Sequence, residues 1–233
     1  MPLPKIRTQA FLANLPLFRE LAPAELDRIA AGTTELQVPR GEILFHRGDP
    51  CTGFHVVVYG QVKLSFVTPQ GSEKVVEIIG PGFSFGEAVM FVDKPYVVMA
   101  QTLADTKLLH VAKEAVFEGI ARDPTFAKRM LAGLSRRLHA LVTDLESYSL
   151  QSGTQRVIGY LLQREPDAAG AESGAAYAVT LPAAKSIVAS RLNLTPEHFS
   201  RILHDLTAAG LIAVEGREVR ILDVARLRGR PDS

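Results

Sequence analysis

Apolar positions along the chain change their spacing twice, and each change marks a different kind of element. Through residue 31 the spacing is helical and amphipathic: Leu15, Leu17, Phe18 and Leu21 precede Pro23, and Leu26 and Ile29 continue the apolar face. From Gly32 to Ala112 alternation with period two takes over. The runs Ile43–His46, Phe54–Tyr59, Val62–Val67, Val75–Ile79, Val97–Ala100 and Leu108–Val111 are punctuated by Gly41, Gly48-Asp49-Pro50, Gly53, Gly60, Gln70-Gly71 and Pro81-Gly82. Several short strands at this spacing predict a small antiparallel barrel or jelly roll.

After Pro124 the helical period returns. Ala127, Leu131, Leu134, Leu138, Leu141, Leu145 and Tyr148 alternate four and three residues apart, a heptad seam. A helix with such a seam pairs with a copy of itself through Leu131, Leu134, Leu138, Leu141 and Leu145; the alternative is a long helix packed on its own roll. Gln151 to Thr154 breaks the pattern, and a helix with Val157, Ile158, Leu161 and Leu162 inward follows to about Arg164. Pro166 to Ala176 is small and polar and reads as a loop, and Tyr177–Leu181 as a short strand.

Next come two helices about a tight turn. Pro182 opens the first, Ala183 to Arg191, and Asn193 occupies the turn, where tolerance of positive φ is useful. The second, Thr195 to Ala208, begins with a capping threonine and a proline at the first helical position. Phe199, Ile202, Leu203 and Leu206 form its apolar face; Glu197, Ser200, Arg201 and His204 fall on the other. Gly210 stops it, and Leu211–Val214 and Arg217–Leu222 flank a Glu215-Gly216 hairpin. Alone, Thr195–Ala208 could be an ordinary amphipathic surface helix. With its turn and hairpin it predicts a winged helix-turn-helix whose polar face reads DNA. Arginine grips the two acceptors of guanine, and glutamate accepts from the cytosine amino group. Lys185, Thr195, His198 and Arg217 are the candidate phosphate contacts.

The fold class expected is α+β, in three parts: a sensory roll with N-terminal helices over 1–123, a dimerisation helix over 124–150 and a DNA-binding domain over 151–233. Charge does not alter this picture. The net charge is +1, and from Ser152 onward ten Lys/Arg face nine Asp/Glu, so DNA binding rests on local placement. Cys51, the single cysteine, rules out a disulfide within one chain and a cysteine-only cluster. No signal peptide or membrane-length apolar run is evident, which predicts a cytoplasmic protein without a membrane partner. A metal-dependent enzyme of the cupin kind is the competing class. It needs two histidines in close register plus a carboxylate, whereas His46, His55 and His110 read as isolated on separate strands. No nucleophile elbow or phosphate-cradling loop is present.

PRGEILFHRGDP, VVYGQVKLS, GPGFSFGEAVMF, LSRRLHALVTDLESYSL and LTPEHFSRILHDLTAAGLIAVEGREVRILD together resemble the cyclic-AMP receptor/fumarate-nitrate regulator superfamily over essentially the whole chain. The resemblance implies a cyclic-nucleotide-binding-like roll, a homodimer, double-stranded DNA with an inverted repeat, and RNA polymerase as a further partner. Cyclic-nucleotide receptors follow Phe-Gly-Glu with an arginine and serine that hold the phosphate. Here Gly86 and Glu87 are followed by Pro95, Tyr96 and Val97, so no cyclic nucleotide is expected. The cysteine cluster of oxygen-sensing members is missing before Cys51, so no iron–sulfur cluster is expected. Glu197, Ser200 and Arg201 match the Glu-x-x-Ser-Arg pattern of the fumarate-nitrate branch, which reads a TTGAT-type half-site.

GEAVMFVDKPYVVMAQT and the run from Leu134 to Leu150 look like the cysteine-free dissimilatory nitrate respiration regulators of denitrification genes. That likeness implies an activator that senses nitric oxide through haem. The N-terminal histidines proposed as ligands in that branch are missing, which leaves His139 as the haem-ligand candidate, with Pro2 and Cys51 behind it. The effector, a small molecule or gas, is expected in a pocket of Phe83, Phe85, Gly86, Glu87, Met90, Tyr96, Val97 and Val98. Response to a non-haem metabolite, or constitutive binding, is the other reading.

Overall fold

The computed structural model describes residues 8–15, 18, 21–68, 70–132, 134, 135, 138, 151–162 and 177–230. The chain divides into two compact units, residues 1–141 and 142–233.

The first unit is a roll of two four-stranded antiparallel sheets. Its strands are β1 (Thr33–Val38), β2 (Ile43–Phe45), β3 (Gly53–Tyr59), β4 (Val62–Val67), β5 (Glu73–Ile79), β6 (Ser84–Phe85), β7 (Met99–Thr102) and β8 (Thr106–Ala112). One sheet runs β1-β8-β3-β6 and the other β2-β7-β4-β5. Alternation along β3 and β8 sorts their side chains to two sides. Val57 and Leu108 join Phe45, Val62, Ile79, Phe85, Tyr96 and Ala100 in one buried cluster between the sheets. Phe54, Val56, Leu109 and Val111 face the helical layer, α1 (Thr8–Ala13), α2 (Pro23–Ala31) and α4 (Lys113–Arg122), through Leu12, Leu26, Ile29 and Val116. Between β6 and β7 lies α3 (Glu87–Phe91), which Gly86 enters at φ +95, a conformation suited to glycine.

Helix α5 covers 124–132, with 134, 135 and 138 also helical. It belongs with the first unit, because Phe126 and Met130 are buried in the roll's helical layer and Leu134 packs against it. Leu131 and Leu138, seven residues apart on the predicted seam, are each 63% exposed. The seam is therefore split: Leu134 turns toward its own unit while Leu131 and Leu138 face away. Leu141, Leu145 and Tyr148 lie outside the described residues.

The second unit comprises α6 (Gly153–Leu162), β9 (Tyr177–Thr180), α7 (Lys185–Arg191), α8 (Pro196–Ala208), β10 (Ile212–Glu215), β11 (Glu218–Ile221) and α9 (Val224–Arg228). Its sheet has the order β10-β11-β9, all antiparallel. The helices pack on it through Val157, Leu161, Val188, Phe199, Leu206 and Leu227, buried in one core with Val219 of β11. Five elements escaped the sequence reading: β1, β6, α3, α4 and α9. The first two-residue step of the predicted α7 is also corrected, since Ala183 and Ala184 precede the helix.

Candidate functional site

The sequence around α8 fixes both its start and its orientation. Thr195, at φ −74 and ψ 154, caps the helix by accepting a hydrogen bond from the His198 backbone N–H at 3.2 Å, with Pro196 at the first position. Asn193 takes φ +57 in the turn after α7, the left-handed conformation anticipated for it. The apolar face then locks the rotation of the helix, with Phe199, Ile202, Leu203 and Leu206 buried. Opposite them Glu197, Ser200, Arg201 and His204 are exposed. One acceptor, one hydroxyl and one guanidinium thus share an open stripe on a rigid helix, a chemistry suited to base edges.

The proposed phosphate contacts stand on different footings. Arg217 is exposed in the two-residue turn between β10 and β11, where Gly216 takes φ +58. Lys185 is half-buried at the start of α7. The Thr195 oxygen already serves as the helix cap. His198 is exposed, yet its ring lies against α6: a Cβ built on Gly153 would stand 3.1 Å from it. Sequence reasoning missed Arg156. From α6 its Nη1 donates to the Leu192 carbonyl at 2.7 Å and the Asn193 carbonyl at 3.4 Å, bracing the turn that aims α8. A charged donor on orphan carbonyls at a helix end is the signal that could have found it.

In the roll, a cavity of about 440 Å³ is lined by Thr34, Leu36, Leu44, Phe45, Asp49, Pro50, Thr52, His55, Tyr96 and His110. Among the described residues no lysine or arginine lines it. Phe45 and Tyr96 stack at 3.5 Å between centroids, and the Tyr96 hydroxyl donates to the Gly53 carbonyl at 3.1 Å. His55 pairs directly with His110 across β3 and β8, and the ring centroids are 4.9 Å apart. These two histidines, read from sequence as isolated, are neighbours because their strands are. Burial, helped by His110, pushes the His55 imidazolium down to about 3, and burial also lowers His110, so both rings are neutral at physiological pH. Burial raises Tyr96, with the hydrogen-bonding Cys51 thiol adding to it.

Residues 35–123 match the model of the cyclic nucleotide-binding domain, and residues 155–230 that of the Crp-like helix-turn-helix domain. A structure of a Ruegeria pomeroyi protein named for cyclic nucleotide binding is 35% identical, covers 95% of each chain and superposes with a TM-score of 0.68. DNR from Pseudomonas aeruginosa is also 35% identical, over 97% of this chain and 98% of that one, with a TM-score of 0.55. The chain belongs to the cyclic-AMP receptor/fumarate-nitrate regulator family. The CRP-like cAMP-activated global transcriptional regulator of Mycobacterium tuberculosis is 27% identical over 219 residues, 94% of this chain and 97% of its own.

As a member of this family the protein is a DNA-binding transcription regulator with an effector-binding domain, and the Mycobacterium relative is itself a transcriptional regulator. No helix among the described residues is long and apolar enough to cross a membrane. The residues expected around the effector spread over both layers of the first unit. Of these eight residues only Tyr96 lines the cavity. Phe85 and Val98 pack into the roll interior, whereas Met90 is buried on the other side, in the helical layer. Phe83 and Val97 are 61% and 53% exposed, and Glu87 is buried at the head of α3. A stretch that crosses from one layer to the other cannot present all its side chains to one ligand. Pro2 and His139 lie outside the described residues. Cys51 is partly buried, its thiol directed to the Gly53 carbonyl at 3.1 Å.

Proposed function

We propose that this regulator acts in the cytoplasm as a homodimeric activator that reads a TTGAT-type inverted repeat and recruits RNA polymerase under control of a small ligand in the roll. The observation that carries the reading is the outward stripe of Glu197, Ser200 and Arg201, backed by four buried apolar residues of the same helix. Arg201 grips guanine, Glu197 accepts from cytosine on the complementary strand, and Ser200 meets thymine or phosphate. Exposed Leu131 and Leu138 support pairing through α5. A two-fold axis puts two α8 helices in successive major grooves, which demands an inverted repeat. Identity of 35% with DNR supports target genes of the denitrification type.

Haem would be held by His139, which lies outside the described residues. His55 and His110 stand at 4.9 Å in adjacent strands, leaving no room for a porphyrin between them. Among the described residues the cavity lining holds two neutral histidines and no lysine or arginine, which supports an uncharged or cationic effector over a cyclic phosphate.

Fluorescence anisotropy of the full chain on a TTGAT-N4-ATCAA duplex and on a scrambled duplex, at one fixed salt concentration, tests this reading. Preference for the repeat by roughly a thousandfold, with two chains per duplex, is expected. Equal affinity for both duplexes contradicts it.

A further inference from the structure

We propose that His55 and His110 form a two-imidazole clip for one divalent transition-metal cation inside the roll. The pair is built by register: His55 on β3 stands directly opposite His110 on β8, and both side chains line the same cavity. Their ring centroids are 4.9 Å apart with the planes at 52°. A tetrahedral ion held at metal–nitrogen distances of about 2.0 Å sets two imidazole centroids roughly 5 Å apart. The two rings therefore already stand at the separation that sharing one ion requires.

Three further features fit a cation. His55 is only 7% exposed, and its Nδ1 is buried without a hydrogen-bond partner among the described residues. A lone pair left open in an apolar wall is costly unless something binds it. Second, the Thr52 hydroxyl lies 3.4 Å from His110 Nε2, the kind of outer oxygen that fixes the tautomer of a ligating histidine and leaves Nδ1 for the metal. Third, among the described residues the only formally charged side chain lining the cavity is Asp49, so the local field favours a cation and opposes an anion. Neutral imidazoles select zinc, copper, cobalt, nickel or iron over calcium and magnesium. Among the described residues no group of three His, Cys, Asp or Glu converges. Two coordination positions thus stay open to water or a small exogenous ligand, which gives the roll a means of holding a molecule that the protein alone would bind weakly.

The test uses the full chain stripped with a chelator and titrated with cobalt(II), followed by its visible absorption, and with zinc(II), followed by calorimetry. One equivalent per chain is expected, weakened at least tenfold by His55→Phe and by His110→Gln. Both variants should keep wild-type far-ultraviolet circular dichroism. Should His55→Phe fail to fold, His110→Gln, at a half-buried ring, decides the matter alone. Absence of a stoichiometric ion in the wild type, or binding that His110→Gln leaves unchanged, overturns the proposal. Neither result bears on which operator the second unit reads.

Discussion

His55 sits against Phe85 in the roll wall, stacked at 5.1 Å and 15°, and its proton affinity follows from that burial. With the native imidazole lowered to about 3, the unfolded chain takes up a proton below about pH 6.5 that the native chain refuses. Each unit of pH below that point favours the unfolded state, until the native ring itself titrates near 3. His110, also lowered by burial, adds in the same sense. In chelator-treated buffer the first unit should therefore lose about 2–3 kcal/mol between pH 7 and pH 4.5 through His55. Thermal melts of the wild type and His55→Leu across this range check it: the variant's melting temperature should depend less steeply on pH. Parallel pH dependence in the two proteins would show that His55 is not held neutral. At the other end of the chain, Arg156 shows that one side chain can set the pose of an element it does not belong to, through two carbonyls of the helix-turn-helix turn.

Among elements, α8 was the most legible, because its cap, proline, apolar face and stop are all encoded within a few residues of one another. Helix α4 was not: it buries only Val116 and Gly119, and Gly119 serves by its lack of a side chain, with the Phe126 ring 3.2 Å from where a Cβ would stand. Strand β1, Thr-Thr-Glu-Leu-Gln-Val, is polar in alternate places and pairs only with β8 at a sheet edge, so no apolar run announced it. The α5 seam was legible as a heptad, yet Phe126, Met130 and Leu134 face the roll while Leu131 and Leu138 remain exposed. That division predicts a specific outcome. If α5 pairs two copies as proposed, Leu131→Glu together with Leu138→Glu should give a monomer in sedimentation or light scattering and leave the roll folded, since neither side chain is in its core. A dimer that survives both substitutions would place the two-fold contact elsewhere.

At the scale of the whole molecule, two kinds of information separate. What is local in sequence, such as the Glu197-x-x-Ser200-Arg201 spacing and the Gly216 turn, could be read before any fold was known. What depends on pairing could not: His55 and His110 are 55 positions apart in number and meet only through the β3–β8 register. The expected effector stretch divides in the same way: Phe85 and Met90 end in different layers despite their proximity in sequence. Recognition of DNA and reception of a ligand thus belong to separate units, joined by a chain that must carry any coupling as a difference in affinity between two states. On the proposed reading α8 chooses sequence through Arg201. The most direct measurement is the affinity of wild type and Arg201→Ala for the TTGAT inverted repeat and for the same duplex with its guanine–cytosine pairs exchanged for adenine–thymine. The variant should lose about 1–3 kcal/mol on the intact repeat and little on the exchanged duplex. Equal losses on both duplexes would reduce Arg201 to a phosphate contact and contradict that reading.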